Sequence, residues 1–162
     1  MPIKRMADFV RAVPLVRQAR GHVIGDGPEL PALQALPESS SVEFHGSRPD
    51  IASHLAGYDA LVLPSVREGC PLVAIEAFAA GVPVVGYDVP GVRDVIGPWG
   101  SGILVPVSEG PAGLGAALRR LVEEPGLREQ CVKNARNGLE RFDPAAVAAK
   151  LLDAYRRAVA VY

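Results

Sequence analysis

Five short apolar runs, at residues 22–25, 42–45, 60–63, 82–87 and 103–105, are bounded by Gly, Pro or Asp and alternate with longer stretches of helical period. Runs of this length, rich in Val, Ile and Leu, predict strands buried on both faces. Their alternation with helices predicts a parallel sheet. The helical stretches are 7–19, 28–36, 51–56, 71–80 and 92–96, several opened by Pro at the first helical position, where a backbone N–H is not needed. Three more helices follow the last strand, at 112–123, 126–141 and 144–159, separated at Pro125 and Pro144. No repeat, low-complexity tract or linker interrupts the pattern, so residues 1–162 read as a single domain. The expected fold is α/β and Rossmann-like, a parallel sheet with helices on both faces and a helical C-terminal tail. The chain opens directly into a helix, whereas a doubly wound sheet normally begins with a strand.

Composition narrows the class. With 162 residues, 49% hydrophobic and 22% charged, the chain suits one soluble globular core. Seventeen Lys and Arg against eighteen Asp and Glu leave a net charge of -1, so there is no overall basic field to attract nucleic acid. Cys70 and Cys131 form no CxxC pair, which argues against a disulfide framework or a zinc site and favours a reducing cytoplasm. No run approaches the roughly 18 apolar residues that span a bilayer, and the first ten residues lack the apolar middle of a signal peptide. The expected location is cytoplasmic, with peripheral membrane contact left open to a surface patch that only the fold can reveal.

In an open parallel sheet, ligands collect at the carboxyl ends of the strands, where helix N-termini point their unpaired N–H groups. The loop P-S-V-R-E-G-C-P, residues 64–71, leaves one strand and enters a helix, and it brings Arg67, Glu68 and Gly69 together. Gly69 allows close backbone approach, and the amides of Leu72 and Val73 face outward from the first helical turn, an arrangement that suits phosphate. Glu76 is the one ionisable residue within 72–81 and has Leu72, Val73, Ala79 and Ala80 as helical neighbours. A carboxylate in such surroundings needs a partner, and ligand hydroxyls would serve. Glu68 and Glu76 are spaced E-x7-E. Because a carboxylate repels phosphate, both should contact neutral hydroxyls, on a ribose and on a sugar, either side of a diphosphate held by the amides. That is the layout of a nucleotide-sugar. Taken alone, the loop reads as an ordinary helix start and Glu68 as a solvated residue.

Other signals are weaker. The loop Gly25-Asp26-Gly27-Pro28 also joins a strand to a helix, but Leu30 stands where a dinucleotide fingerprint has its third glycine, and no GxxxxGK[ST] run occurs. His22, His45 and His54 fall on separate elements without an i,i+4 pair, so no metal site is expected and His45 reads as a strand-end side chain. Ser65 and Ser101 lack the G-x-S-x-G elbow of a hydrolase nucleophile.

The stretches K-R-M-A-D-F-V-R-A, H-V-I-G-D-G-P-E, V-E-F-H-G, Y-D-A-L-V-L-P-S-V-R-E-G-C-P-L-V-A-I-E-A-F-A-A-G-V-P-V-V and G-V-R-D-V-I span nearly the whole chain. In them it resembles the C-terminal, donor-binding domain of GT-B glycosyltransferases of family 4, or group 1. The resemblance implies a retaining, metal-independent transferase that uses a nucleoside-diphosphate sugar and no further cofactor. It implies that Glu76 holds the donor ribose, Glu68 the transferred sugar, and the amides around Gly69, Cys70, Pro71, Leu72 and Val73 the diphosphate. Lys4 resembles the lysine that neutralises the donor phosphates, Arg67 stands close enough to assist, and Gly25, Gly27, Gly46 and Arg48 fall in the base and ribose pocket. Cys70 replaces a bulkier, often aromatic residue. The alternatives are a sugar-nucleotide epimerase of the same architecture and a non-catalytic nucleotide-binding or assembly module.

By the same resemblance, an N-terminal domain carrying the acceptor site, the first strand of this domain, and an arginine preceding Lys4 lie outside the sequence. The isolated chain is therefore expected to bind donor weakly and transfer nothing. The missing strand would be central. Its two neighbours would lack backbone partners, which another segment or a second copy of the chain could supply. The last helix, which crosses to the other domain in that family, would leave an exposed apolar strip favouring self-association.

Overall fold

A computed structural model describes residues 3–159. The chain runs α1 (Met6–Ala12), β1 (Gly21–Val23), α2 (Leu30–Gln34), β2 (Val42–Phe44), α3 (Ile51–Leu55), β3 (Leu61–Leu63), α4 (Leu72–Ala79), β4 (Val84–Tyr87), α5 (Pro90–Ile96), β5 (Gly102–Val105), α6 (Gly110–Glu123), α7 (Leu127–Gly138) and α8 (Pro144–Val159). Each expected strand and helix is present, most of them trimmed by one to three residues at an end. The largest difference is α1, expected to reach residue 19. It ends at Ala12 and passes into a 3-10 turn over Val13–Leu15, because Pro14 cannot donate to the carbonyl four residues earlier.

All strand pairs are parallel, but they form two sheets: β1 beside β2, and β3-β4-β5 in that order. In β1 the Val23 carbonyl accepts from His45 across β2, and in β3 the Leu61 amide donates to Pro83 on the β4 side. Backbone direction alternates along a strand, so the polar groups of His22 and Val62 point the other way, where no described strand pairs with them. The division therefore falls between β1 and β3. It also corrects the expectation of strands buried on both faces. Only β4, flanked on both sides, is buried throughout, while Glu43 in β2 is exposed and Leu61 and Val62 in β3 are half-buried.

α1 fastens the two sheets together. Phe9, Val10 and Val13 make a small core with Val23, Leu33 and Val42, against which Val62 of β3 also packs. On its other side α1 meets α6, where Gly115 lets Leu15 approach. The larger core gathers Phe78 from α4, Val84, Val85 and Tyr87 from β4, Ile96 from α5 and Leu114 from α6. α8 contributes no buried residue, and Leu151, Leu152 and Tyr155 are each more than half exposed, as expected for the final helix. No described helix is long and apolar enough to cross a membrane.

Candidate functional site

The loop after β3 is held from three directions. Pro64 and Ser65 are buried at its start, and the Val66 amide donates to the Ile3 carbonyl at 2.9 Å, tying the N-terminal segment to it. That tie places Lys4 so that its Nζ lies 2.6 Å from Glu68 Oε1. The Glu68 side chain is 12% exposed and that of Lys4 63%, so the carboxylate is set in place while the lysine reaches it from solvent. From the third side comes Gly91 in the first turn of α5. A Cβ there would strike the backbone carbonyls of Glu68 and Gly69, so only glycine lets α5 approach the loop this closely.

Beyond Glu68 the chain opens outward. A Cβ at Gly69 would meet nothing within 4 Å, and Arg67 and Cys70 are exposed. Pro71 caps α4 in an extended conformation, without any side-chain cap. The amides of Leu72 and Val73 therefore stand as the uncapped positive end of an eight-residue helix. Glu76 lies one turn further on. It is exposed, as is Leu72 at 67%, and it has no side-chain partner among the described residues. Apolar neighbours in sequence thus did not mean burial here, because this end of α4 faces solvent rather than another layer.

A second group forms at the carboxyl ends of β1 and β2. The Gly25 amide donates to the Gly46 carbonyl at 2.7 Å, joining the two loops. Gly25 and Gly46 have φ of 135° and 67°, in the region that favours glycine, and no atom lies within 4 Å of a Cβ placed at Gly25, Gly27 or Gly46. Arg48 is exposed, with its Nε 3.5 Å from Asp50 Oδ1. A hydrogen bond from His54, aided by the Arg48 charge, holds the Asp50 carboxyl below the usual carboxylate range. No hydrogen bond or ion pair among the described residues links this group to Glu68 or Glu76.

Three features escaped the sequence reading. Asp8 is 5% exposed and accepts the Tyr87 hydroxyl at 2.6 Å and an Arg5 ion pair at 2.8 Å. Burial, and then the Asp8 carboxylate, push the Tyr87 phenol well up. The sequence carried little signal for it, since the helical neighbours of Asp8 three and four residues away are Lys4, Arg5, Arg11 and Ala12, the pattern of a solvated face. Gly91 was missed because close approach between distant segments leaves no local pattern. The third feature is the meeting of His22 and His45, which the sequence placed on separate elements.

Parallel strands whose carboxyl-end loops carry the polar residues, glycines and an uncapped helix start place the chain in the doubly wound α/β class, which takes ligands at that end. Within that class, residues 1–124 match the family described as glycosyl transferases group 1, and the chain belongs to it, as a C-terminal domain of GT-B type. It is 36% identical over 140 residues to an exopolysaccharide phosphotransferase of Streptomyces coelicolor, covering 83% of this chain and 15% of that protein. It is 31% identical over 162 residues to the lipopolysaccharide core biosynthesis glycosyltransferase LpsD of Rhizobium meliloti, covering 97% of this chain and 47% of that protein. Its fold is like that of HepE of Anabaena, solved with UDP and glucose, with a TM-score of 0.85, 20% identity, and coverage of 97% of this chain and 46% of that one. The chain thus spans less than half the length of these proteins.

Proposed function

We propose that this chain is the donor-binding domain of a retaining, metal-independent glycosyltransferase that moves a sugar from a nucleoside diphosphate to an acceptor read by another domain. The observation that carries the reading is the uncapped start of α4, directly after the Lys4–Glu68 pair and the open backbone at Gly69. Amides and helix dipole would hold the diphosphate, and Lys4, mostly in solvent, can turn from Glu68 to a phosphate oxygen at little desolvation cost. As the sugar departs, negative charge grows on the diphosphate, and Lys4, the Leu72 and Val73 amides and Arg67 would stabilise it electrostatically. Glu68, released from Lys4, would accept from hydroxyls of the transferred sugar. The exposed Glu76 would do the same for the ribose, and Gly25, Gly27, Gly46 and Arg48 would enclose the base. The domain that completes the enzyme would supply the acceptor site, so this chain alone should bind donor and transfer nothing. The reading places the enzyme in the cytoplasm.

Calorimetric titration with UDP, GDP, ADP and the matching nucleotide-sugar tests this, alongside Glu76→Ala. Saturable binding of one nucleotide, weakened about tenfold or more in the variant, as loss of a charge-assisted pair of hydrogen bonds would do, supports the assignment. Unchanged affinity in Glu76→Ala refutes the ribose role. Failure of every nucleotide to bind refutes this chain as a donor site by itself.

A further inference from the structure

His22 lies in β1 and His45 directly follows β2, and their side chains meet on one face of the small sheet. Nδ1 of His22 is 2.9 Å from Nε2 of His45, and the rings lie 13° from parallel with centroids 5.2 Å apart. Glu43 is the register partner of His22 and stands two residues before His45, so the strand period puts it on the same face. Its Oε2 is 3.8 Å from each of the two nitrogens. No Lys or Arg among the described residues pairs with this carboxylate. Three atoms able to donate lone pairs thus converge within 4.8 Å of one another.

We propose that His22, Glu43 and His45 form a binding site for one divalent transition-metal cation of the Zn2+ type. Ligand atoms about 2.0–2.2 Å from a tetrahedral ion stand about 3.3–3.6 Å apart. The observed separations of 2.9 and 3.8 Å fall on either side of that spacing, so small side-chain rotations would seat an ion. Two imidazoles and a carboxylate suit Zn2+, Ni2+ and Cu2+ rather than Mg2+ or Ca2+, which prefer all-oxygen sets. Each histidine side chain is 27% exposed and that of Glu43 55%, so water can fill the remaining position and the ion can enter from solvent. The Tyr58 ring, 5.2 Å from that of His22, restricts its orientation. The ion would clamp β1 to β2 beneath the Gly25–Gly46 link, apart from the loop after β3, and the proposed transfer would remain metal-independent.

The test uses the chain stripped of metal with EDTA and then titrated calorimetrically with Zn2+ alone, with thermal melts with and without Zn2+. The expected result is saturable binding of a single ion and a rise in melting temperature, because the ion binds the folded state. Glu43→Gln, whose side chain is exposed and whose fold should persist, should weaken binding at least as much as the roughly tenfold loss common for outer-shell partners of metal ligands. His45→Gln should abolish it. A Co2+ absorption spectrum without thiolate charge transfer would place the ion on nitrogen and oxygen ligands rather than on Cys70. Absence of saturable binding, or an affinity in either variant equal to that of the parent, would overturn the proposal.

Discussion

A Cβ added at Gly91 would collide with the backbone carbonyls of Glu68 and Gly69, so the start of α5 and the loop after β3 share one surface. Gly91→Ala must move one of them. The overpacking should cost about 1–3 kcal/mol, lowering the melting temperature by several degrees, and the displaced loop should weaken nucleotide binding. A variant that melts and binds like the parent would show that the contact yields freely. Tyr87 carries a different prediction. Its phenol is buried and donates to Asp8, so its pKa in the folded chain lies above the unfolded value of about 10. Folding therefore favours the neutral form, and that contribution is complete below about pH 10 and fades as pH climbs through it toward the folded value. Urea unfolding at pH 8 and pH 10.5 should show a larger loss of stability for the parent than for Tyr87→Phe; equal losses would remove Tyr87 from the account.

At the scale of elements, α1 carries more of the architecture than its seven residues suggest. It packs on the β1–β2 sheet through Phe9 and Val10, reaches β4 through Asp8 and Tyr87, and the 3-10 turn that follows it adds Val13 to the same core and meets α6 at Gly115. A Cβ at Gly115 would lie 3.0 Å from Leu15 Cβ and 3.4 Å from the Ala12 carbonyl. Gly115→Val should therefore push α1 away from α6, at about 1–3 kcal/mol. If α1 is the fastener, amide exchange at Gly21–Val23 should accelerate more than at Val84–Tyr87. Uniform acceleration would mean that the molecule loosens as one unit. The existence of α1 was legible from its apolar period, but its end was not: the stretch was expected to run past Pro14 to residue 19, and it stops at Ala12. Nor was its role as a bridge legible, because contacts between Asp8 and Tyr87 span 79 residues of sequence.

For the whole molecule, the division between β1 and β3 sets a hierarchy of stability. β4 has a paired neighbour on each side and is fully buried, whereas among the described residues β1 is paired on one side only. Native-state exchange should be slowest in β4 and faster in β1 by orders of magnitude; similar protection in both would mean that the open edge of β1 is covered in solution. The sequence by itself determined the order and kind of the elements, the parallel class, the loops that carry Glu68, Gly25 and Gly46, and the family. Those features follow from local periodicity, turn chemistry and short motifs. Only the tertiary structure decided that Lys4 reaches Glu68, that Gly91 supports their loop, that Asp8 rather than Glu76 is the buried carboxylate, and that His22, Glu43 and His45 meet on one face. Each of these depends on which surface another element covers, and neighbours along the chain do not encode that.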